Sequence, residues 1–389
     1  MYMRLAETPE FALLLAVCRW PNTKVEQQAV CRAAAQVTDW PLFLRMVARQ
    51  RVWALALGAL QNAGAALPDD VGQYLKRTAR KIAEQNCLLS VEIIRLQQNL
   101  AAAGVTAVFI KGVVLADRVY GSIAVKHGKD IDIWVMPDHL SAAWNCLETL
   151  GYRQQLLPEN PSEALRHRLM RHLKEMSFRL QTGVEVELHW RLSVNPALAK
   201  FPHRDDLVAL PFAGEPLHQL TDDALFCYLA LHGAQHGWYR LKWLADFNAF
   251  LSGKDCAELY HYAVNRHMGL FAGYGLMLCY RYFETPLSAD VLHEISGWRV
   301  RLLCQITHWI LTGRPALKEP LHCFALRMVQ HLVWLLQCQS VAALVQQVPV
   351  SFFSYADMQN YPLPRGLFFL YPLLRLPLWC VRRIRAVLH

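Results

Sequence analysis

Apolar positions recur at helical spacing towards both ends of the chain and in strand-like runs in the middle. Between residues 70 and 103, Leu75, Ala79, Ile82, Leu89, Ile94 and Leu100 are spaced for one buried helix side, and Gly104 is a natural stop. Upstream, TKVE at 23–26 reads as a capping box, Asp39 before Trp40-Pro41 marks a helix start, and Gly64 and Pro68 make a break. From Thr221 onward the helical texture returns, with further segments near 254–280, 288–311, 320–347 and 366–388. The central stretch changes period. TAVFIKG reads as a buried strand, VVLADRVYG as a short helix, DIDIWV as a strand, HLSAAWNCLETLG as a helix, and KEMSFRLQ and VEVELHWRL as two strands. These patterns predict a helical region over 1–103, a small α/β domain over 104–220 and a helical region over 221–389. No repeat period emerges, which favours a bundle over a solenoid for the flanks.

Composition narrows the class. The 389 residues are 54% hydrophobic and 18% charged, with a net charge of +9. Such a chain buries large cores and is not a disordered one. Its charge suits phosphorylated small molecules, nucleic acid or anionic lipid. Eleven cysteines are scattered with no CxxC, which predicts reduced thiols and a cytoplasmic protein and argues against a zinc or disulfide framework. The start of the chain has only a short apolar run with Glu7 and Glu10 before it, a poor signal peptide. No apolar run reaches the roughly 18 residues of a spanning helix.

Chemistry concentrates in the centre. Asp130 and Asp132 alternate on one strand and therefore share a face. Carboxylates that close raise each other's pKa unless a cation sits between them; a divalent metal or a lysine (Lys111, Lys126 or Lys129) would serve. A solvated edge strand would tolerate them as well. Glu185 and Glu187 share a face of a later strand, and sheet pairing could bring a third acid beside the first two. Such an oxygen cluster suits Mg²⁺ or Mn²⁺ better than zinc. Lys111-Gly112 lies between a strand and a helix, where glycine permits close backbone approach and the helix N-terminus offers N–H groups to phosphate, although no Walker or Rossmann pattern is present.

FIKGVVLADRVYG, GKDIDIWV and VEVELHWRL together resemble the signature of a bacterial group of uncharacterised nucleotidyltransferases in the DNA polymerase beta-like superfamily, and the similarity continues into LHGAQHGWYRLKWLADF at 231–247. The resemblance implies an α+β fold: a polymerase beta-like nucleotidyltransferase core with a small mixed sheet, flanked by extensive N- and C-terminal helical regions. It implies Mg²⁺ or Mn²⁺ as cofactor, a nucleoside triphosphate (ATP by preference) as co-substrate, and transfer of a nucleoside monophosphate to an acceptor with release of pyrophosphate. Carried onto this chain, Asp130 and Asp132 match the first metal motif, Glu187 the third acid, Gly112 the phosphate-loop glycine and Lys111 the lysine before it. Glu185 is a poorer match for the third acid. Two departures stand out. VKHGKD offers Lys126 or Lys129 where the group has arginine, and lysine lacks the bidentate fork. The third acid is glutamate where aspartate is usual.

The remaining candidates have competing readings. His232 and His236 are four apart on one helix, with Asp246 ten residues later; no third strong ligand and no HExxH is evident, so packing against the sheet or lining its cleft is favoured over zinc. Arg240 and Lys242 could meet the triphosphate or simply be solvated. His189 and Trp190 follow the third acid, and Trp190 is a base platform or a core residue. A small-molecule, sugar or peptide acceptor fits the apolar composition better than nucleic acid, for which no recognition motif is present. A noncatalytic nucleotide- or partner-binding protein, an RNA-end nucleotidyltransferase and a phosphotransferase are the alternatives. Residues 366–389 carry Arg375, Arg382, Arg383 and Arg385 among apolar residues and no acid, a segment for core or protein packing, or for a peripheral contact with an anionic membrane.

Overall fold

The computed structural model describes residues 8–155, 173–193, 198 and 201–312, with isolated positions between 336 and 381. Four helices lead the chain: α1 (Pro9–Ala16), α2 (Lys24–Ala34), α3 (Trp40–Gln50) and α4 (Trp53–Asn62). Asp39 caps α3 as its sequence suggests, accepting the Leu42 N–H at 2.7 Å. Thr23 precedes α2 but does not cap it by its side chain; its hydroxyl donates to Glu26 instead. The long α5 (Asp69–Ala102) follows, and Gly104 stops it with a left-handed backbone, φ 72°. Its buried stripe runs through Leu75, Ile82, Leu89, Ile93, Leu96 and Leu100. Ala79 and Ile94, expected in that stripe, are only half-buried.

The centre is built from β1 (Ala107–Phe109), α6 (Gly112–Tyr120), β2 (Asp130–Val135), α7 (Leu140–Thr149), β3 (Arg153–Gln154), β4 (Glu175–Arg179), β5 (Glu185–His189), β6 (Leu207–Phe212) and β7 (Glu215–Leu220). These strands form one mixed sheet in the order β3-β4-β5-β2-β1-β7-β6. The pairs β1–β7 and β2–β5 are parallel; the other pairs are antiparallel. The β6–β7 hairpin was not among the predicted strands. Its signal is the two-residue turn Ala213-Gly214, both with positive φ (50° and 88°), the geometry that matches strand twist.

Strand alternation sorts the sheet into two faces. Ile131, Ile133, Val135, Val186, Leu188, Met176 and Phe178 point to one side and pack with Leu89, Leu96 and Leu100 of α5 and Trp144 and Leu147 of α7. Trp190 belongs to this core, buried to 3% exposure. The other face carries the polar residues. It looks towards a helical bundle that includes α8 (Asp222–Gln235), α9 (Leu241–Leu251), α10 (Cys256–Asn265), α11 (Gly269–Phe283), α12 (Ala289–Ile295) and α13 (Trp298–Thr312). The architecture is therefore a small mixed sheet flanked by N- and C-terminal helices. Among the described residues no helix is long and apolar enough to cross a membrane. The helical segments expected at 320–347 and 366–388, and the basic contact expected for 366–389, lie outside the described residues apart from isolated positions.

One buried side chain holds the loop that delivers β2. Asn86 of α5 is fully buried; its Nδ2 donates to the carbonyls of Ile123 (2.6 Å) and Lys126 (2.5 Å), and its Oδ1 accepts the Gly128 N–H at 3.1 Å. Replacing it strands three backbone groups away from water. Asn86→Leu is expected to destabilise the fold by roughly 3 kcal/mol, measured by urea unfolding. A change under about 0.5 kcal/mol would show that the loop is held by other contacts.

Candidate active site

The register of two parallel strands builds the centre of the site. Asp130 stands beside Glu185, Asp132 beside Glu187, and Trp134 beside His189. On the far side of β5, antiparallel pairing puts Glu175 beside His189 and Ser177 beside Glu187. Asp132, Glu187 and His189 offer ligand atoms that all lie within 4.8 Å of one another, and Asp132 and His189 are buried. This buried carboxylate–imidazole cluster is able to chelate a divalent cation. Among the described residues it is the one such group.

Charge at the cluster is tightly held. Lys111 Nζ lies 2.6 Å from Asp132 Oδ1, and His189 Nε2 lies 3.2 Å from the same oxygen and 3.6 Å from Glu187 Oε2. Burial works to neutralise Asp132, but Lys111 and then His189 outweigh it and hold the carboxyl well below its usual range. Burial likewise opposes a charge on His189, yet its hydrogen bond to Asp132 and the nearby carboxylates of Glu175 and Glu187 raise the imidazole to about 9. Asp130 goes the other way. Burial, then the neighbouring charges of Asp132 and Glu187, raise it to about 6. Among the described residues Asp130 has no cation within ion-pair distance, so the face retains negative charge that its own lysines leave uncompensated.

Glu175 was not singled out in the sequence. Its Oε2 lies 3.0 Å from His189 Nδ1 and 2.5 Å from Lys174 Nζ, and its carboxyl is held well below its ordinary range because His189 and Lys174 overcome the effect of burial. A carboxylate on Nδ1 turns Nε2 towards Asp132 and Glu187, the arrangement that orients metal-binding histidines. The clue was available: Glu175 alternates with Ser177 in KEMSFRLQ, the strand next to VEVELHWRL.

At the β1–α6 turn, Gly112 adopts φ 65°, and a Cβ there would meet the Asp130 carbonyl oxygen at 3.3 Å. The glycine thus lets the turn pack against the start of β2 and opens α6 towards the site. The other predicted residues are placed as follows. Lys126 is buried and paired with Asp246 (2.5 Å), which also accepts from the Tyr120 hydroxyl at 3.1 Å. Lys129 and Glu185 pair with each other at the exposed rim (3.1 Å). His232 and His236 line the cavity with Trp243, ring centroids 4.8 Å apart between His236 and the indole. Burial and the nearby lysines keep both imidazoles neutral, His236 falling to about 4. Asp246 is committed to Lys126, and these histidines and Asp246 do not gather as a metal group among the described residues. Lys242 lines the cavity; Arg240 does not, and its guanidinium donates to the Arg49 carbonyl at 3.3 Å. The cavity measures about 360 Å³, within the range of small-molecule sites.

A mixed sheet with paired acids on adjacent parallel strands, a Lys-Gly turn into a helix and helical flanks defines the class: the polymerase beta-like nucleotidyltransferase fold. The match to a family model described as uncharacterised nucleotidyltransferase covers residues 36–284, more than half of the chain, and the protein belongs to that family. No curated protein and no solved structure matches the chain.

The Glu175–His189 contact makes a direct prediction. Glu175→Gln is expected to weaken Mn²⁺ binding about 10- to 100-fold in titrations followed by electron paramagnetic resonance, with an unchanged fold. Binding equal to the unsubstituted protein would show that His189 needs no orienting carboxylate.

Proposed function

We propose that the protein is a divalent-metal-dependent nucleotidyltransferase that moves a nucleoside monophosphate from a nucleoside triphosphate, ATP by preference, to a small-molecule, sugar or peptide hydroxyl, releasing pyrophosphate. The observation that carries this reading is the register that sets Asp132 against Glu187, with Lys111-Gly112 opening a helix into the same cavity. The donor set fits a divalent cation: two carboxylates and an imidazole with convergent ligand atoms, plus Asp130, raised by burial and then by the like charges of Asp132 and Glu187. Asp132, Glu187 and Asp130 would hold it, with His189 as a further donor once it gives up its proton. When bound, such a cation neutralises phosphate charge and acidifies an acceptor hydroxyl.

The chain's own groups have distinct tasks. The first N–H groups of α6, opened by Gly112, receive phosphate oxygens. Lys111 balances the cluster before substrate arrives and offers an ammonium to the phosphates once its partner oxygen is taken. Glu187, half-buried and facing the cavity, takes up the acceptor proton. Walls formed by the buried Leu192 and Tyr228 and the half-buried His232 and Trp243 limit access of water, which would otherwise compete as acceptor.

The Lys111–Asp132 pair at 2.6 Å favours a second reading. An ammonium that stays on Asp132 would leave a protein that binds nucleotide without turning it over. The assay is incubation with labelled nucleoside triphosphates, Mg²⁺ or Mn²⁺ and candidate acceptors, with mass spectrometry of the products. The expected result is an acceptor heavier by a nucleoside monophosphate. Asp132→Asn should reduce the rate by at least about 100-fold while the protein stays folded. Release of nucleoside diphosphate would instead assign phosphoryl transfer, and nucleotide binding with no product under any metal would favour the noncatalytic reading.

A further inference from the structure

The cavity contains a second charged region that the acids do not explain. Six cations line it: Arg51, Lys111, Lys126, Lys129, Lys174 and Lys242. Four are committed to carboxylates, Lys111 to Asp132, Lys126 to Asp246, Lys129 to Glu185 and Lys174 to Glu175. Arg51 and Lys242 have no ion pair among the described residues. They lie close enough to Asp130 to feel its charge, yet neither comes within ion-pair distance of it. Uncompensated cations and uncompensated acids thus face one cavity without closing on each other, which leaves room for a ligand carrying both signs of charge.

The backbone brings these two cations together deliberately. Gln50, at the end of α3, is buried, and its Oε1 accepts the Leu241 N–H at 2.7 Å, capping the start of α9. Arg240 adds a second tie to the Arg49 carbonyl. The next residue on each side of the Gln50–Leu241 bond is Arg51 or Lys242. Arg51 itself sits in the left-handed region, φ 57° and ψ 44°, an unfavourable backbone for a residue with a side chain. Both cations press on His127 beside them, which burial and their charge hold in its neutral form. Burial, with Lys126, also lowers Lys242 to about 8, as for an ammonium kept without a counterion.

We propose that Arg51 and Lys242 form a polyphosphate half-site opposite the acids, so that the N-terminal helical region completes the nucleotide pocket of the central sheet. The occupant is the triphosphate of a nucleotide whose metal-bound end lies on Asp132 and Glu187. The proposal rests on the nucleotidyltransferase reading for the identity of that occupant, but binding of the phosphates alone requires neither metal nor turnover. Arg51 supplies the bidentate fork that the lysines of the VKHGKD loop lack.

The test is calorimetric titration of the full chain with sodium tripolyphosphate, without divalent metal and at low salt. Arg51→Gly removes the charge and suits the left-handed backbone; Lys242→Met removes the other charge from a helix surface and carries the same test should the glycine variant not fold. Each is expected to weaken tripolyphosphate binding roughly 10- to 100-fold, the effect of losing one charge-assisted contact, while Mn²⁺ binding stays unchanged. Lys76→Ala, on the exposed side of α5, should change affinity less than about twofold. ATP should displace the tripolyphosphate. Wild-type affinity in a folded Arg51→Gly and Lys242→Met pair, an equal loss in Lys76→Ala, or no displacement by ATP would overturn the half-site. A chain that binds tripolyphosphate as expected yet transfers no nucleotide would refute the proposed reaction and leave the half-site standing.

Discussion

The parallel pairing of β2 with β5 is the constraint from which the rest follows. It sets Asp132 against Glu187 and Asp130 against Glu185 on one face. Two carboxylates brought together under a helical roof repel each other and lose their water, so each needs a compensating charge or a raised pKa. The structure uses both devices. Lys111 and His189 keep Asp132 ionised, whereas Asp130 is left to rise to about 6. A one-residue slip of β2 against β5 would turn Ile131 and Ile133 to this face and Asp130 and Asp132 into the core, so burial of the opposite face locks the polar one in place.

The helical flanks do more than cover apolar surface. α5 holds the loop before β2 through Asn86, and the loop's Lys126 reaches Asp246 of α9, where Tyr120 of α6 also donates. A buried ion pair of this kind adds little net stability, because desolvation consumes most of the attraction; removing one partner, however, leaves an uncompensated charge. Its consequence here is positional. It ties loop, helix and bundle into one wall of the cavity. Gln50 extends the tie to the N-terminal helices by capping α9.

Much of this was legible in the chain. DIDIWV and VEVELHWRL show their acids at alternate positions, so a shared face follows from strand geometry, and Gly112 ends a buried apolar run where a turn must form. Local signals could not reveal which strands become neighbours. That choice decided between Glu187, beside Asp132 and His189, and Glu185, which pairs with Lys129 at the rim. Arg51 was invisible for the same reason: it lies far along the chain from the sheet, and only tertiary packing of α3 on α9 brings it to the cavity. Arg240 and Lys242 looked alike on a helical pattern, yet Arg240 begins α9 tied to a backbone carbonyl and Lys242 faces the cavity. Lys126 looked like a phosphate ligand and is spent on a buried carboxylate, a partner more than a hundred residues away. The missed β6–β7 hairpin is different in kind, because Ala213-Gly214 was a local turn signal.

The central claim is that strand register makes a divalent-metal site between β2 and β5. A crystal structure of the full chain with Mn²⁺ and a non-hydrolysable nucleoside triphosphate, with the anomalous signal of manganese located, tests it most directly. The account predicts an anomalous peak about 2.0–2.3 Å from carboxylate oxygens of Asp132 and Glu187, with Lys111 moved off the Asp132 oxygen. A manganese peak elsewhere, with the Lys111–Asp132 pair intact and nucleotide bound, would contradict it.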